Sequence, residues 1–355
     1  MTLLVLPRHR SAIFCSFLFV LSSLSSAVTA LSLPSTFLVE AAPCCLDRRT
    51  AILESSSSLL AATALLALDD PTTSTESSNN NNFNKLPLEV VNDPDSYSAL
   101  AYGGGSTNDD DAKMRNGAAN NNNNKRPPPP LILVLHGAGK NDLDILSDLG
   151  DPRGEHAGLI PSLIASGQAP SMLLNNFAIL APYSQGKVSL YQDSRSKVLQ
   201  FVDWAIQNQG TSKCPIRFDP KRIILFGFSD GATVAVELLT TSRFAGGVIC
   251  SYGYNGPSLP SRALERLTNK PLWVFHSADD VIFDVTNSDR LVEQLRAVNN
   301  HSRGSDSTTA SIIKYSRYDR DPENLPPRVR GHSMGITASK QVEVYDWMLQ
   351  LPPIA

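Results

Sequence analysis

"KRIILFGFSDGATVAVELL", residues Lys221 to Leu239, runs from an apolar segment through a serine between two glycines into a second apolar segment. "RIILF" reads as a buried strand and "GATVAVELL" as a helix, so Gly227-Phe228-Ser229-Asp230-Gly231 is a strand-to-helix turn of the form G-x-S-x-G. On such a turn a serine takes strained backbone angles and its Oγ stands clear of the sheet, while Gly227 and Gly231 relieve crowding where strand and helix nearly touch. With Gly and Ser each at roughly 7% of residues, three fixed positions match by chance about once in ten chains of this length. The five residues alone leave two readings open, a nucleophile or a polar residue in a connection, and the surrounding chain decides between them.

Working outward, apolar runs alternate with helical patterns from Arg126 to the end, roughly 230 residues, enough for a sizeable single core. The strand expectations are Leu131 to Leu135, Phe177 to Leu180, Ile223 to Phe226, Gly247 to Ser251, Leu272 to His276 and Ser311 to Tyr315. Their apolar residues are continuous rather than alternating, as in strands covered on both faces. Helices are expected at Arg195 to Gln207, Gly231 to Thr241, Asn287 to Val298 and Ser339 to Leu351. The alternation argues for an α/β fold, a mostly parallel central sheet with helices on both faces. "SALAY", Ser98 to Tyr102, is a further candidate, as an antiparallel edge strand. The stretch between Tyr252 and Lys270 is too short for a large cap domain.

In such a sheet reactive groups gather in the loops after the carboxyl ends of strands. After "LILVL" comes His136-Gly137-Ala138-Gly139, whose glycines let the backbone approach a bound group; it lacks the spacing of a phosphate loop. After "PLWVFHS" come Asp279 and Asp280, either of which could hold an imidazole in the right tautomer. Asp280 is the choice and Asp279 the reserve, against the reading of a solvated acidic turn. After "SIIKYS" comes "RVRGHSMG", with His332 beside Gly331 in the position of a general base. His276 ends a strand and is read as a packing or hydrogen-bonding residue. Ser229, Asp280 and His332 follow in that order, 51 and 52 residues apart, each interval about two strand-helix steps. Four loops now agree, and Ser229 reads as a nucleophile. Arg317, Arg320, Arg328 and Arg330 precede His332; with Asp319, Asp321 and Glu323 interleaved, they read as a self-neutralised surface loop.

The first third of the 355 residues is not core material. Arg8, His9 and Arg10 precede an apolar run ending in small residues, with Val28 and Ala30 at the −3 and −1 positions, so 1–30 reads as a signal peptide. Arg48-Arg49 ahead of a Leu/Ala segment marks 31–70 as a second targeting segment, of the twin-arginine or plastid type. Entry to the secretory pathway follows, with the plastid or thylakoid lumen of an alga with a complex plastid as one destination and secretion as the other. Residues 71–126, with "NNNN" and "GGGSTNDDD", read as a low-complexity disordered linker, and 127–355 as the catalytic domain. A net charge of −3 without a basic run argues against nucleic acid. Five scattered cysteines form neither a disulfide scaffold nor a metal site. No stable membrane span is expected after signal cleavage.

"LHGAG", "DPKRIILFGFSDGA", "WVFHSADD" and "GHSMG…YDWML" together resemble the α/β-hydrolase superfamily, in the branch of phospholipase/carboxylesterase-like and prolyl-oligopeptidase-like serine hydrolases. The resemblance covers most of 128–352 and departs from the pattern at Asp284, where relatives often carry proline. It implies Ser229 as nucleophile, His332 as base, Asp280 as acid, and the N–H groups of Ala138 and Asp230 as oxyanion donors, with no cofactor. The expected activity is hydrolysis of a small-molecule carboxylic ester through an acyl-enzyme, of the carboxylesterase or lysophospholipase kind. A serine peptidase of the same fold is the alternative, and a non-catalytic binding protein the distant one.

Overall fold

The structure, a computed structural model, describes residues 88–103, 127–139, 144–154, 156–254, 259–303 and 312–355. The expected signal peptide 1–30, the targeting segment 31–70 and all of the expected linker 71–126 except 88–103 lie outside these residues. Eight strands of the described residues form one sheet in the order β1-β2-β4-β3-β5-β6-β7-β8. They are β1 (Glu89–Asn92), β2 (Ser98–Gly103), β3 (Pro130–Leu135), β4 (Ala178–Tyr183), β5 (Asp219–Phe228), β6 (Gly246–Cys250), β7 (Leu272–Ser277) and β8 (Ile313–Tyr318). β2 pairs antiparallel with both neighbours; every other pairing is parallel.

The helices are α1 (Ile145–Asp148), α2 (Ile160–Ser166), α3 (Ser171–Asn176), α4 (Arg195–Asn208), α5 (Asp230–Leu239), α6 (Ser261–Leu267), α7 (Thr286–Arg303), α8 (Met334–Lys340) and α9 (Val342–Leu349). Continuous apolar runs in the central strands are explained by two cores. Because successive side chains of a strand point to opposite faces, Leu131, Leu133, Ile223 and Leu225 join Phe201 of α4, Leu238 of α5 and Leu295 of α7. Their neighbours Ile132, Val134, Ile224 and Phe226 join Ile164 of α2, Met334 of α8 and Tyr345 of α9 on the other face. Each strand residue so covered contributes about 1.5–3 kcal/mol of apolar burial.

Two expectations need correction. The segment 88–103 is not linker: Val91, Tyr97, Leu100 and Ala101 are buried, and Ser98 to Gly103 pairs along the whole of β4. β2 therefore stands second in the sheet, with β1 at the edge. A short apolar island outweighs the polar composition around it because both of its faces find partners. The helix expected over Ser339–Leu351 is two helices, α8 and α9, broken where Gln341 takes an extended conformation (φ −85°, ψ 118°). There the Gln341 amide donates to the Tyr318 hydroxyl of β8 at 2.9 Å, and the Tyr345 hydroxyl donates to the Ser339 carbonyl.

Candidate active site

The turn after β5 carries Ser229 in a conformation that side chains rarely adopt, φ 55° and ψ −122°. It is held there from both sides. The Ser229 N–H donates to the Cys250 carbonyl of β6 at 2.9 Å, and the Ser229 carbonyl accepts from Ala232 of α5 at 2.9 Å. The flanking glycines are required by contact. A Cβ on Gly227 would stand 2.5 Å from the Gly231 carbonyl oxygen, and one on Gly231 would stand 2.1 Å from that of Leu135. α5 is thus pressed against β3 and β5, and the strain at Ser229 is set by that packing.

Three loops after β5, β7 and β8 bring Ser229, Asp280 and His332 into one hydrogen-bonded chain. The Ser229 Oγ lies 2.8 Å from His332 Nε2, and His332 Nδ1 lies 2.8 Å from Asp280 Oδ2. With a carboxylate at Nδ1, that nitrogen carries the proton and Nε2 is left to accept from the serine hydroxyl. The rings of Phe228 and Phe283 flank the imidazole at 5.3 and 5.4 Å. Gly331, at φ +77°, makes the approach possible: its α-carbon lies so close to the Asp279–Asp280 peptide that a Cβ would be 2.3 Å from it.

Asp280 Oδ1 accepts from the N–H groups of Ile282 at 2.8 Å and Phe283 at 3.0 Å. Burial would raise its carboxyl, but hydrogen bonds from His276 and His332 outweigh it and hold the group well below the usual carboxylate range. Asp279 is directed elsewhere. Its Oδ1 accepts from the Ser277 hydroxyl at 2.6 Å and the Asp321 N–H at 3.0 Å, joining the β7 loop to the β8 loop. Asp284 accepts from the Thr286 N–H at 2.9 Å and so opens α7 by a side-chain bond.

Asp230 follows Ser229 in the turn, and Ala138 belongs to the loop after β3. A Cβ on Gly137 would stand 3.0 Å from that of Ser229, so the loop after β3 packs directly on the serine. Among the described residues neither the Ala138 nor the Asp230 N–H donates to a protein acceptor. A tetrahedral oxyanion at Ser229 could engage both. The loop is held from outside by the Gly139 N–H, which donates to the Val188 carbonyl at 2.9 Å.

Several features escaped the sequence reading. The Asp230 carboxylate is buried: burial raises it, while a bond to Ser189 and the nearness of His332 oppose the rise. A buried polar cluster lies beneath the β3 loop. His136 Nδ1 faces the Gly137 carbonyl at 2.7 Å and His156 Nε2 at 3.0 Å, and the Tyr183 hydroxyl donates to Asp148 at 2.7 Å. Burial pushes both imidazoles down, that of His136 to about 3 and that of His156 to about 4. Several charges before His332 pair outside that stretch, Arg330 with Asp279 at 3.9 Å among them. Arg317 pairs with Asp289 of α7 at 3.1 Å, Glu323 with Lys340 at 2.7 Å, and Asp321 takes the N–H and hydroxyl of Ser333 at the start of α8. Local alternation of signs suggested pairing within the stretch, but these partners lie on other elements. No residue spacing announced these contacts.

Among the described residues no group of three or more His, Cys, Asp or Glu side chains is placed to hold a metal ion, and no helix is long and apolar enough to cross a membrane.

The strand order, the single antiparallel β2 and the strained serine turn define an α/β hydrolase. The model of the Phospholipase/Carboxylesterase family of α/β hydrolases matches residues 117–314, more than half of the chain, and the protein belongs to that family. No curated protein matches it. Among solved structures, a thermostable esterase is similar with a TM-score of 0.51 at 18% identity, over 76% of this chain and 63% of that one. The chain thus spans less than two thirds of that esterase's length. The α/β hydrolase MGS-M1 from a Medee basin deep-sea metagenome library has a TM-score of 0.45 at 14% identity, over 76% and all of the respective chains. A Bacillus cereus carboxylesterase has a TM-score of 0.38 at 17% identity, over 70% and 93%. The family is one of esterases, and ester hydrolysis is the activity class it supports.

Proposed function

We propose that the protein is a serine hydrolase that cleaves small or flexible carboxylic esters through an acyl-enzyme, of the carboxylesterase or lysophospholipase kind. The observation that carries the reading is the pair of 2.8 Å contacts from Ser229 Oγ to His332 and from His332 to Asp280. In the proposed reaction His332 Nε2 takes the hydroxyl proton as Ser229 Oγ attacks the ester carbonyl carbon. The Ala138 and Asp230 N–H groups hold the oxyanion. Collapse breaks the bond to the alcohol oxygen, which leaves with the proton from His332. Water, deprotonated by the same imidazole, then attacks the acyl carbonyl and frees Ser229. Asp280 stays ionised and holds the imidazole. Support for a short or flexible acyl group comes from the stretch between β6 and β7, whose described residues carry a single helix of 7 residues, α6.

The test is labelling by a fluorophosphonate probe, followed by a panel of aryl esters of increasing chain length, lysophospholipids and prolyl or aminoacyl amides. Labelling of the wild type, its loss in Ser229→Ala, and turnover of esters but not amides are expected. Labelling that persists in pure Ser229→Ala protein would overturn the assignment, and faster cleavage of amides than of esters would replace esterase by peptidase. We also propose that 1–30 is removed on entry to the secretory pathway, which N-terminal sequencing of the mature protein from its source would test.

A further inference from the structure

His276, the last but one residue of β7, is fully buried four residues before Asp280. Its Nε2 lies 3.2 Å from Asp280 Oδ2, the oxygen that also takes His332 Nδ1, and 3.0 Å from the Phe283 carbonyl oxygen. Neither an ionised carboxylate nor a carbonyl can donate, so the proton must sit on His276 Nε2. Its Nδ1 lies 2.7 Å from the hydroxyl of Ser288, a fully buried residue of α7. That hydroxyl donates to the ring nitrogen left without a proton, which fixes the tautomer.

Asp280 is therefore faced by four donors: two backbone N–H groups on Oδ1, His332 on Oδ2, and the His276 Nε2–H, which it shares with the Phe283 carbonyl. A carboxylate has about four such acceptor sites, so every one is filled and the group cannot rotate without losing bonds. Holding the imidazole of His332 requires one of these four. The other three have no part in proton transfer and serve to aim the carboxylate.

We propose that His276, held in its tautomer by Ser288, is a positioning residue that pins the Asp280 carboxylate in line with His332 and draws charge away from it. The proposal rests on the assignment of Asp280 and His332 given above. The charged and titratable groups around His276 are few. Asp279, Asp280 and Asp284 lie on the loop after β7, with Asp279 turned to Ser277 and Asp321, His332 stands beyond Asp280, and α7 presents the neutral Ser288. Arg317, opposite His276 in the β7–β8 register, turns to Asp289.

The sign of the effect follows. With one donor removed, Asp280 holds more charge and favours the imidazolium of His332 more strongly. The neutral base then appears only at higher pH, so the acid limb of the kcat/KM profile moves upward, while a freer carboxylate lowers kcat.

The experiment measures kcat, KM and the pH profile of kcat/KM on a short-chain aryl ester for His276→Leu, His276→Gln and Ser288→Ala. For His276→Leu, kcat is expected to fall roughly 10- to 100-fold with KM within about 3-fold, and the acid limb to rise by about half to one pH unit. His276→Gln, whose amide can donate from near the Nε2 position, should recover most of the kcat and keep the wild-type limb. Ser288→Ala should shift the limb in the same direction as His276→Leu by a smaller amount. Unmoved limbs in both His276→Leu and Ser288→Ala, or a glutamine variant as impaired as the leucine one, would overturn the proposal. If His276→Leu does not fold, Ser288→Ala with a wild-type limb and kcat suffices to overturn it. Probe labelling of wild type and Ser229→Ala in the same preparations tests the underlying assignment separately, since it does not depend on His276.

Discussion

Replacing Gly331 by alanine should uncouple the histidine from the carboxylate without touching either. At φ +77° an alanine costs roughly 1–2 kcal/mol in backbone conformation alone. Its Cβ would also lie 2.3 Å from the Asp279 carbonyl carbon and the Asp280 nitrogen, where ordinary contact begins near 3.4 Å. The two loops must then part by about 1.1 Å, the difference between those distances. His332 is the next residue. If the whole displacement falls along its 2.8 Å bond to Asp280, that distance becomes about 3.9 Å, outside hydrogen-bond range. A misplacement of this size costs about 100-fold in turnover. Conformation and overlap together should remove about 2–4 kcal/mol of stability, seen as a fall in Tm of roughly 5–10 °C. Steady-state kinetics on an aryl ester and a calorimetric melt provide the two readouts. A Gly331→Ala protein with wild-type kcat and Tm would show that the loops are not pressed together and would refute the reasoning.

Asp280→Asn should lower kcat by roughly 10³- to 10⁴-fold by favouring the wrong imidazole tautomer. Asp279→Asn, which loses only loop contacts, should stay within about 10-fold of wild type and cost about 1–2 kcal/mol; the same ester assay and a urea titration separate the two residues. Acid should destabilise the fold through His136 and His156. Both are held below their ordinary value of 6.5, so their contribution is intact above pH 6.5 and is lost as the pH falls toward about 4 and about 3. The urea midpoint should drop between pH 7 and pH 4.5 and drop less in His156→Gln; a flat midpoint for the wild type would contradict the buried pair. A chain starting at residue 124 lacks β1 and β2, exposes the edge of β4 and loses the Tyr97 hydroxyl bond to Asp193. It should be far less soluble than one starting at residue 84 and melt lower, as yield and calorimetry would show.

Much of the fold was legible because its signals are local. Five buried strands and the largely unburied edge strand β8 appeared as apolar runs, and the serine turn appeared as two glycines whose spacing reflects a contact between one strand and the next helix. The order Ser229, Asp280, His332 pointed to one sheet edge because parallel strands deliver their carboxyl ends to the same side. Composition misled at 88–103, where polar surroundings hid β1 and left Ser98 to Tyr102 as an edge strand although it stands second in the sheet, and at Gln341, where a bond to Tyr318 ends a helix that the apolar period would continue.

By itself the sequence determined an α/β chain with a serine at a strained turn, together with the acids and histidines that could reach it, since these follow from periodicity and from steric needs within a few residues. Only the tertiary structure set Asp280 rather than Asp279 against His332, turned the Asp230 carboxylate inward and placed His276 and Ser288 behind the Asp280 carboxylate. Those outcomes depend on how loops from different strands are pressed together, at Gly331 above all, and a separation of an ångström there decides which neighbours share a hydrogen bond.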